Sequence, residues 1–127
     1  MGKASIPYIR WLRELRMTDL AEVGGKNASL GEMLGSLADA GIRVPEGFAT
    51  TTRAYEEFLA ADGLGERIAD RLRTLDPQDV GSLEKCGAEI RGWIEKAPLP
   101  GPLESEIRAF YQELTKQCSG EISFAVR

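Results

Sequence analysis

The chain has 127 residues with a formal net charge of -4, and 43% of its residues are hydrophobic and 28% charged, so its length and composition predict one globular domain with a buried core. The acidic balance argues against binding to nucleic acid or to an acidic membrane, which needs a basic face, and no apolar run approaches the roughly 20 residues of a membrane span. Two cysteines are too few for a disulfide framework, and we expect a protein of the reducing cytoplasm.

The N-terminal third predicts a strand, a glycine turn and a helix. Bulky side chains favour a short strand over residues 8–12. Four apolar residues follow the i, i+3, i+4, i+7 spacing of an amphipathic helix over residues 27–40: Leu30, Met33, Leu34 and Leu37. Gly41 suits the position that ends this helix. Gly31 and Gly35 share one face of it, where they are tolerable if another backbone packs closely.

The middle of the chain predicts one short strand and three helices, over residues 48–51, 53–60, 64–74 and 76–96. Asp76 is the expected cap of the last of these helices, because Pro77 follows it at the first helical position. The proline-rich stretch at residues 98–102 ends that helix. We take this stretch to be too short to link two domains.

The C-terminal part predicts a last helix over residues 102–117 and then a strand. Cys118 is expected to pack as a small hydrophobe. Apolar residues alternate with small or polar ones over residues 121–127, the period-2 pattern of a strand, which we expect to end at Arg127. A domain rarely ends on a fresh apolar strand, so residues 1–127 are interpreted as an incomplete domain. The fold class is a helix-rich α/β or α+β fold with short strands.

The most informative stretch is the glycine turn ahead of the first long helix. Gly24 and Gly25 allow a positive φ or a close approach to a bound group, Lys26 adds an ammonium, and Asn27 can cap the helix. These features favour an anion such as phosphate, although a helix start with one solvated lysine has the same pattern. A Walker A motif is excluded, because Leu20 stands at its first glycine and Asn27 at its Ser or Thr.

The chain contains no histidine, which removes the commonest general base and the usual neutral metal ligand. Its 20 acidic residues are spread along predicted helix faces, as solvated charges usually are. We therefore predict no catalytic residue and no metal site within this chain.

Three blocks of the sequence resemble the phosphoenolpyruvate synthases (pyruvate, water dikinases). Residues 23–33, VGGKNASLGEM, look like the opening motif of that family, and residues 44–51, VPEGFATT, resemble its next block. Residues 124–127, FAVR, are similar to the start of its third block. Each block alone is moderately specific for the family, and the three blocks in this order and spacing are a strong indication of it. The resemblance covers nearly the whole chain.

The resemblance implies the start of an N-terminal nucleotide-binding domain of the ATP-grasp type. It implies contacts with ATP phosphates for Lys26 and Arg127, a turn shaped by Gly24 and Gly25, and ATP and Mg²⁺ as cofactors. Family enzymes phosphorylate a histidine from ATP and pass that phosphate to pyruvate, releasing AMP, phosphate and phosphoenolpyruvate. The histidine, the pyruvate site and the metal carboxylates belong to later segments, so this chain alone is expected to be inactive.

Two other hypotheses stay open. A pyruvate, phosphate dikinase or a rifampicin phosphotransferase resembles the synthases in this first domain, although such relatives more often have Gly-Ala-Asn after the lysine. The run Asn27-Ala28-Ser29 favours the synthase. The second alternative is a free-standing, non-catalytic helical module that binds a partner through its apolar faces.

Overall fold

The computed structural model describes residues 5–118 and 120–127, and the chain packs as two compact units. The first unit comprises the chain up to Ala54 together with Gly101–Arg127, and the second is Tyr55–Pro100. Length alone predicts a single unit. The division arises because residues 55–100 pack mostly among themselves. One boundary falls in the short proline-rich stretch at residues 98–102.

The described residues form two strands and six helices: β1 Ile9–Trp11, α1 Leu20–Val23, α2 Gly25–Asp39, β2 Phe48–Thr50, α3 Thr52–Ala60, α4 Leu64–Arg73, α5 Val80–Lys96 and α6 Gly101–Gln117. Three short 3-10 turns stand between them, at Leu12–Glu14, Met17–Asp19 and Ala61–Gly63. The expectation of a helix-rich chain with short strands is confirmed. In the parts of the chain that the structure describes, no helix combines the length and the apolar character that crossing a bilayer requires.

The strands β1 and β2 pair antiparallel in the first unit, with Ile9 opposite Thr50 and Trp11 opposite Phe48. The rings of Trp11 and Phe48 meet edge to face with their centroids 6.1 Å apart, and Phe110 of α6 lies 4.7 Å from Trp11. A two-stranded sheet is marginally stable by itself in water. The aromatic contact with α6 therefore supplies packing that the sheet needs.

The glycine face of α2 packs directly on the turn that follows β1. A Cβ on Gly31 would stand 2.5 Å from Leu15 Cβ and 2.7 Å from the carbonyl oxygens of Leu12 and Leu15. A Cβ on Gly35 would stand 2.9 Å from the guanidinium of Arg16. The close backbone packing that makes glycine tolerable on this face is present at Gly31, and it accounts for a residue that costs about 1 kcal/mol in a helix.

The helix α2 ends in a Schellman motif, as predicted from Gly41. This glycine has φ 77°, and the N–H of Ile42 donates to the carbonyl of Leu37 at 2.9 Å. The N–H of Gly41 donates to the carbonyl of Ala38 at 3.0 Å. The core of this unit is made of buried apolar side chains: Leu12, Leu15, Val23, Ala28, Leu34 and Ala49.

In the second unit, α4 and α5 are joined by packing and by one ion pair. Leu64 and Cys86 are buried, and Arg71 Nε of α4 donates to Glu89 Oε2 of α5 at 2.8 Å. This contact lowers the pKa of Glu89 and raises that of Arg71, in each case because the hydrogen bond favours the charged form.

The start of α5 differs from the prediction. The helix begins at Val80 with Asp79 as its cap, whose Oδ1 accepts the N–H of Ser82 at 3.2 Å. Asp76 instead accepts the N–H of Gln78 at 3.0 Å and closes a turn ahead of the helix. Both Asp76 and Asp79 are residues that can cap a helix, and Asp79 takes this role because it directly precedes the first residue of α5.

The C-terminal segment corrects two expectations. Residues 121–127 form no strand, because a strand needs hydrogen bonds from a neighbouring strand and no described segment pairs with them. Phe124 instead stacks against Tyr111 of α6, with centroids 5.2 Å apart. Arg127 therefore does not stand at a strand end. Cys118 follows the last residue of α6 and is exposed, so it does not pack as a small hydrophobe.

Candidate functional site

The glycine turn joins α1 to α2 in the first unit. Gly24 has φ 83° and ψ 164°, a region that is essentially restricted to glycine. Its carbonyl accepts the N–H of Ala28 at 3.0 Å. Apart from Gly24 and its two chain neighbours, no described atom lies within 4 Å of the place where a Cβ on Gly24 would stand. The backbone conformation thus requires glycine here, and the space beside the turn stays open.

The N-terminus of α2 is left without a cap. Its first N–H groups have no acceptor within the helix, and no described side chain caps this end. Asn27, the predicted cap, is the third residue of α2, and its Nδ2 donates to the Val23 carbonyl at 3.0 Å. The correction arises because the helix begins two residues earlier, at Gly25. The open N–H groups and the helix dipole together favour an anion.

The two predicted phosphate-binding cations are both exposed. Lys26 is the second residue of α2, and within residues 5–118 and 120–127 its side chain makes no hydrogen bond and no ion pair. Arg127 follows a segment without regular structure and likewise pairs with no other described residue. The structure brings Gly24, Gly25 and Lys26 together at the start of α2. No hydrogen-bond network of the described chain links Arg127 to them.

A cluster of charges that no sequence pattern predicted adjoins the glycine turn. Arg10 Nη1 donates to Glu22 Oε1 of α1 at 3.0 Å and lies 3.6 Å from Asp19 Oδ1. Glu14 Oε2 is 4.0 Å from Arg10 Nε. The hydrogen bond from Arg10 to Glu22 raises the pKa of Arg10. Arg10 and Glu22 are twelve positions apart in the chain, so no local spacing predicts that they meet.

The second unit contains a cavity of about 310 Å³ between α4 and the ends of α3 and α5. Its walls combine apolar and charged side chains, among them Phe58, Leu64, Arg67, Trp93 and Lys96. None of the predicted phosphate-binding residues lines this cavity. Within the described residues, no group of three or more Cys, Asp or Glu side chains is arranged to hold a metal ion.

Comparison with known proteins identifies the family. Residues 20–127 match the family described as pyruvate phosphate dikinase, AMP/ATP-binding domain. The chain belongs to this family. The matched range contains the glycine turn and Arg127, and the family description names AMP and ATP as the ligands of this domain.

Similar proteins include several phosphoenolpyruvate synthases. The chain is 51% identical over 121 residues to that of Neisseria meningitidis serogroup B, which covers 94% of the chain. It is 47% identical over 122 residues to that of Pseudomonas aeruginosa and 46% identical over 126 residues to that of Escherichia coli, covering 96% and 99% of the chain. The resemblance drawn from the three sequence blocks is confirmed. The chain spans 15% of the length of the first two relatives and 16% of the third.

Proposed function

We propose that this chain is the N-terminal ATP-binding part of a phosphoenolpyruvate synthase. The parent enzyme would convert ATP, pyruvate and water into AMP, phosphoenolpyruvate and phosphate. Identity of 46% to 51% with three synthases over at least 94% of the chain supports this assignment. Residues 1–127 would then be an incomplete domain of the ATP-grasp type.

One structural observation carries the proposal for the site. Gly24, in a conformation that favours glycine, directly precedes the uncapped N-terminus of α2. Lys26 lies in the first turn of that helix, and its side chain has no partner among the described residues. The free N–H groups of α2 would donate to phosphate oxygens, while the ammonium of Lys26 offsets their charge. Arg127 would supply a second cation, and Gly24 and Gly25 would keep the backbone close to the phosphates.

The remaining chemistry would come from other parts of the parent enzyme. ATP, when bound, supplies the phosphoryl group, and phosphoryl transfer depends on positioning and on neutralising phosphate charge. The chain has no histidine to accept that group, so we assign the phosphorylated histidine, the pyruvate site and the Mg²⁺ ligands to the rest of the enzyme. We place the enzyme in the cytoplasm, where free thiols such as those of Cys86 and Cys118 stay reduced.

The substitution Lys26→Ala in the full-length enzyme tests the site. Loss of one charge-assisted phosphate contact is expected to cost about 1.5–3 kcal/mol, or roughly a 10- to 150-fold weaker use of ATP. The measurement is kcat/KM for ATP in pyruvate-dependent AMP formation. Lys116→Ala is the matched control, because it removes an exposed lysine from α6 and changes the net charge equally. An equal effect of the two substitutions would show that Lys26 is an ordinary surface residue.

A pyruvate, phosphate dikinase is the second candidate, because the family description carries that name. The two enzymes differ in their co-substrate, which is water for the synthase and phosphate for the dikinase. Product analysis of the full-length enzyme with pyruvate and ATP, with and without added phosphate, separates them. Formation of phosphoenolpyruvate that requires phosphate and yields pyrophosphate would reject the synthase assignment.

A further inference from the structure

The helix that precedes the glycine turn is too short to be stable by itself. The helix α1 spans only Leu20–Val23, and a single helical turn is unstable in water because its nucleation cost is not recovered. Its orientation must therefore come from tertiary contacts. Those contacts also set the direction in which the open N–H groups at the start of α2 point.

One of these contacts ties α1 to the sheet. Arg10 lies on β1, where it stands opposite Ala49 in the ladder. Its Nη1 reaches Glu22 Oε1 on α1 at 3.0 Å, and the two side chains are only 22% and 19% exposed. A largely shielded, hydrogen-bonded ion pair is held more firmly than a solvated one, since water and salt screen it less. Arg10 thus connects the strand to the residue two positions before Gly24.

Two further hydrogen bonds hold α2 on the other side of the turn. Asn27 Nδ2 donates to the Val23 carbonyl at 3.0 Å, and so bridges the two helices across the glycines. Glu32 Oε2 of α2 accepts the N–H of Met17 at 3.1 Å. Gly24 lies alone between the two helices. Since Asn27 holds only the Val23 end of α1, a shift of its Glu22 side away from β1 would change the backbone dihedral angles of Gly24, which glycine readily accommodates.

We propose that Arg10 is a positioning residue for the phosphate site, acting through Glu22 to hold α1 and thereby the glycine turn in one orientation. The inference rests on the proposed function, and it adds two residues that do not touch ATP. A second consequence follows from the charges. Arg10 faces Glu14, Asp19 and Glu22, so it also reduces the negative charge beside an anion site.

Substitution of Glu22 distinguishes positioning from a simple effect of charge. By charge alone, Glu22→Ala removes a negative group near the turn and should tighten ATP binding. By positioning, the same change releases α1 and weakens ATP binding. Glu14→Ala is the matched control, because Glu14 also faces Arg10 and carries the same charge but lies in the turn Leu12–Glu14 rather than on α1.

The experiment measures KM for ATP, KM for pyruvate and the unfolding midpoint of the full-length enzyme. We expect Arg10→Ala and Glu22→Ala each to raise KM for ATP about tenfold, equivalent to about 1.4 kcal/mol, with KM for pyruvate within about twofold of the unsubstituted enzyme. The double substitution should be no worse than Arg10→Ala alone, because both changes break the same tie. Arg10→Lys should recover most of the ATP affinity, since an ammonium can still pair with Glu22.

Several results would overturn the proposal. The proposal is wrong if Glu22→Ala tightens ATP binding or has the same effect as Glu14→Ala. It is also wrong if the losses add in the double variant, or if KM for ATP and KM for pyruvate change equally. If Arg10→Ala does not fold, the comparison of Glu22→Ala with Glu14→Ala decides the question. Lys26→Ala in the same assay separates the hypothesis of a phosphate site at Lys26 from that of a positioning role for Arg10. If Lys26→Ala weakens ATP binding and Glu22→Ala does not, the positioning role is rejected and the phosphate site is retained.

Discussion

The close contact at Gly31 makes a quantitative prediction about the first unit. Ordinary contacts between carbon atoms are about 3.5–4.0 Å, whereas a methyl group on Gly31 would lie 2.5 Å from Leu15 Cβ and 2.7 Å from two carbonyl oxygens. Leu15 is fully buried, and a backbone carbonyl cannot rotate aside as a side chain can. Either α2 or the turn Leu12–Glu14 would have to move by about 1 Å, by comparison of these distances.

The expected loss of stability for Gly31→Ala follows from two opposing effects. Overpacking against backbone belongs at the upper end of the usual range, about 3 kcal/mol, and the better helix propensity of alanine returns roughly 1 kcal/mol. The net decrease in the free energy of unfolding is therefore about 2 kcal/mol. Urea unfolding of the chain, followed by circular dichroism, measures it.

Two glycine substitutions serve as controls for Gly31→Ala. The three atoms nearest to a Cβ on Gly35 would all belong to the guanidinium of Arg16, at 2.9–3.1 Å. That side chain can move aside at the loss of its hydrogen bonds to the carbonyls of Arg13 and Leu15, which would offset the better helix propensity of alanine, so Gly35→Ala should be nearly neutral. Beyond its chain neighbours and the backbone of its own helix, a Cβ on Gly92 in α5 would meet no described atom within 4 Å, so Gly92→Ala should stabilise by roughly 1 kcal/mol. If Gly31→Ala matches Gly92→Ala in sign and size, the argument from close packing is wrong.

Two further predictions concern helix ends. Gly41 has φ 77° with open space around it, so Gly41→Ala should destabilise by about 1–2 kcal/mol from backbone strain, and Gly41→Asn by less; equal losses in urea unfolding would contradict this. Hydrogen bonds from the side chain and then the backbone of Ser82 hold the pKa of Asp79 below its ordinary value. Because the pKa of Asp79 is lower in the folded chain than in the unfolded chain, this stabilisation is fully present above the unfolded-state pKa. It is lost as the pH falls through the folded-state pKa. Asp79→Ala should therefore lower the thermal midpoint at neutral pH, and the gap to the unsubstituted chain should close in acid; a gap that is constant with pH would refute the cap assignment.

The candidate site was predictable from sequence to the extent that it is local. Gly24, Gly25 and Lys26 are consecutive, and the conformation of Gly24 depends on its lack of a side chain more than on distant neighbours. Arg127 could be named only through the resemblance to a family, since its neighbours in space depend on the path of the C-terminal segment. The pairing of Arg10 with Glu22 was not predictable, because a strand residue and a helix residue meet there through the packing of the first unit.

The sequence by itself determined the order of the five longer helices, the two short strands, the end of α2 at Gly41 and the family, but not the short helix α1. These features depend on periodicity, on turn residues and on motifs that lie within a few residues of one another. Only the tertiary structure decided that the chain packs as two units, that residues 121–127 form no strand, and that Gly31 contacts the backbone at Leu12 and Leu15. Each of these depends on which distant segment supplies a hydrogen-bond partner or a packing surface, and alternating or helical patterns carry no information about that choice.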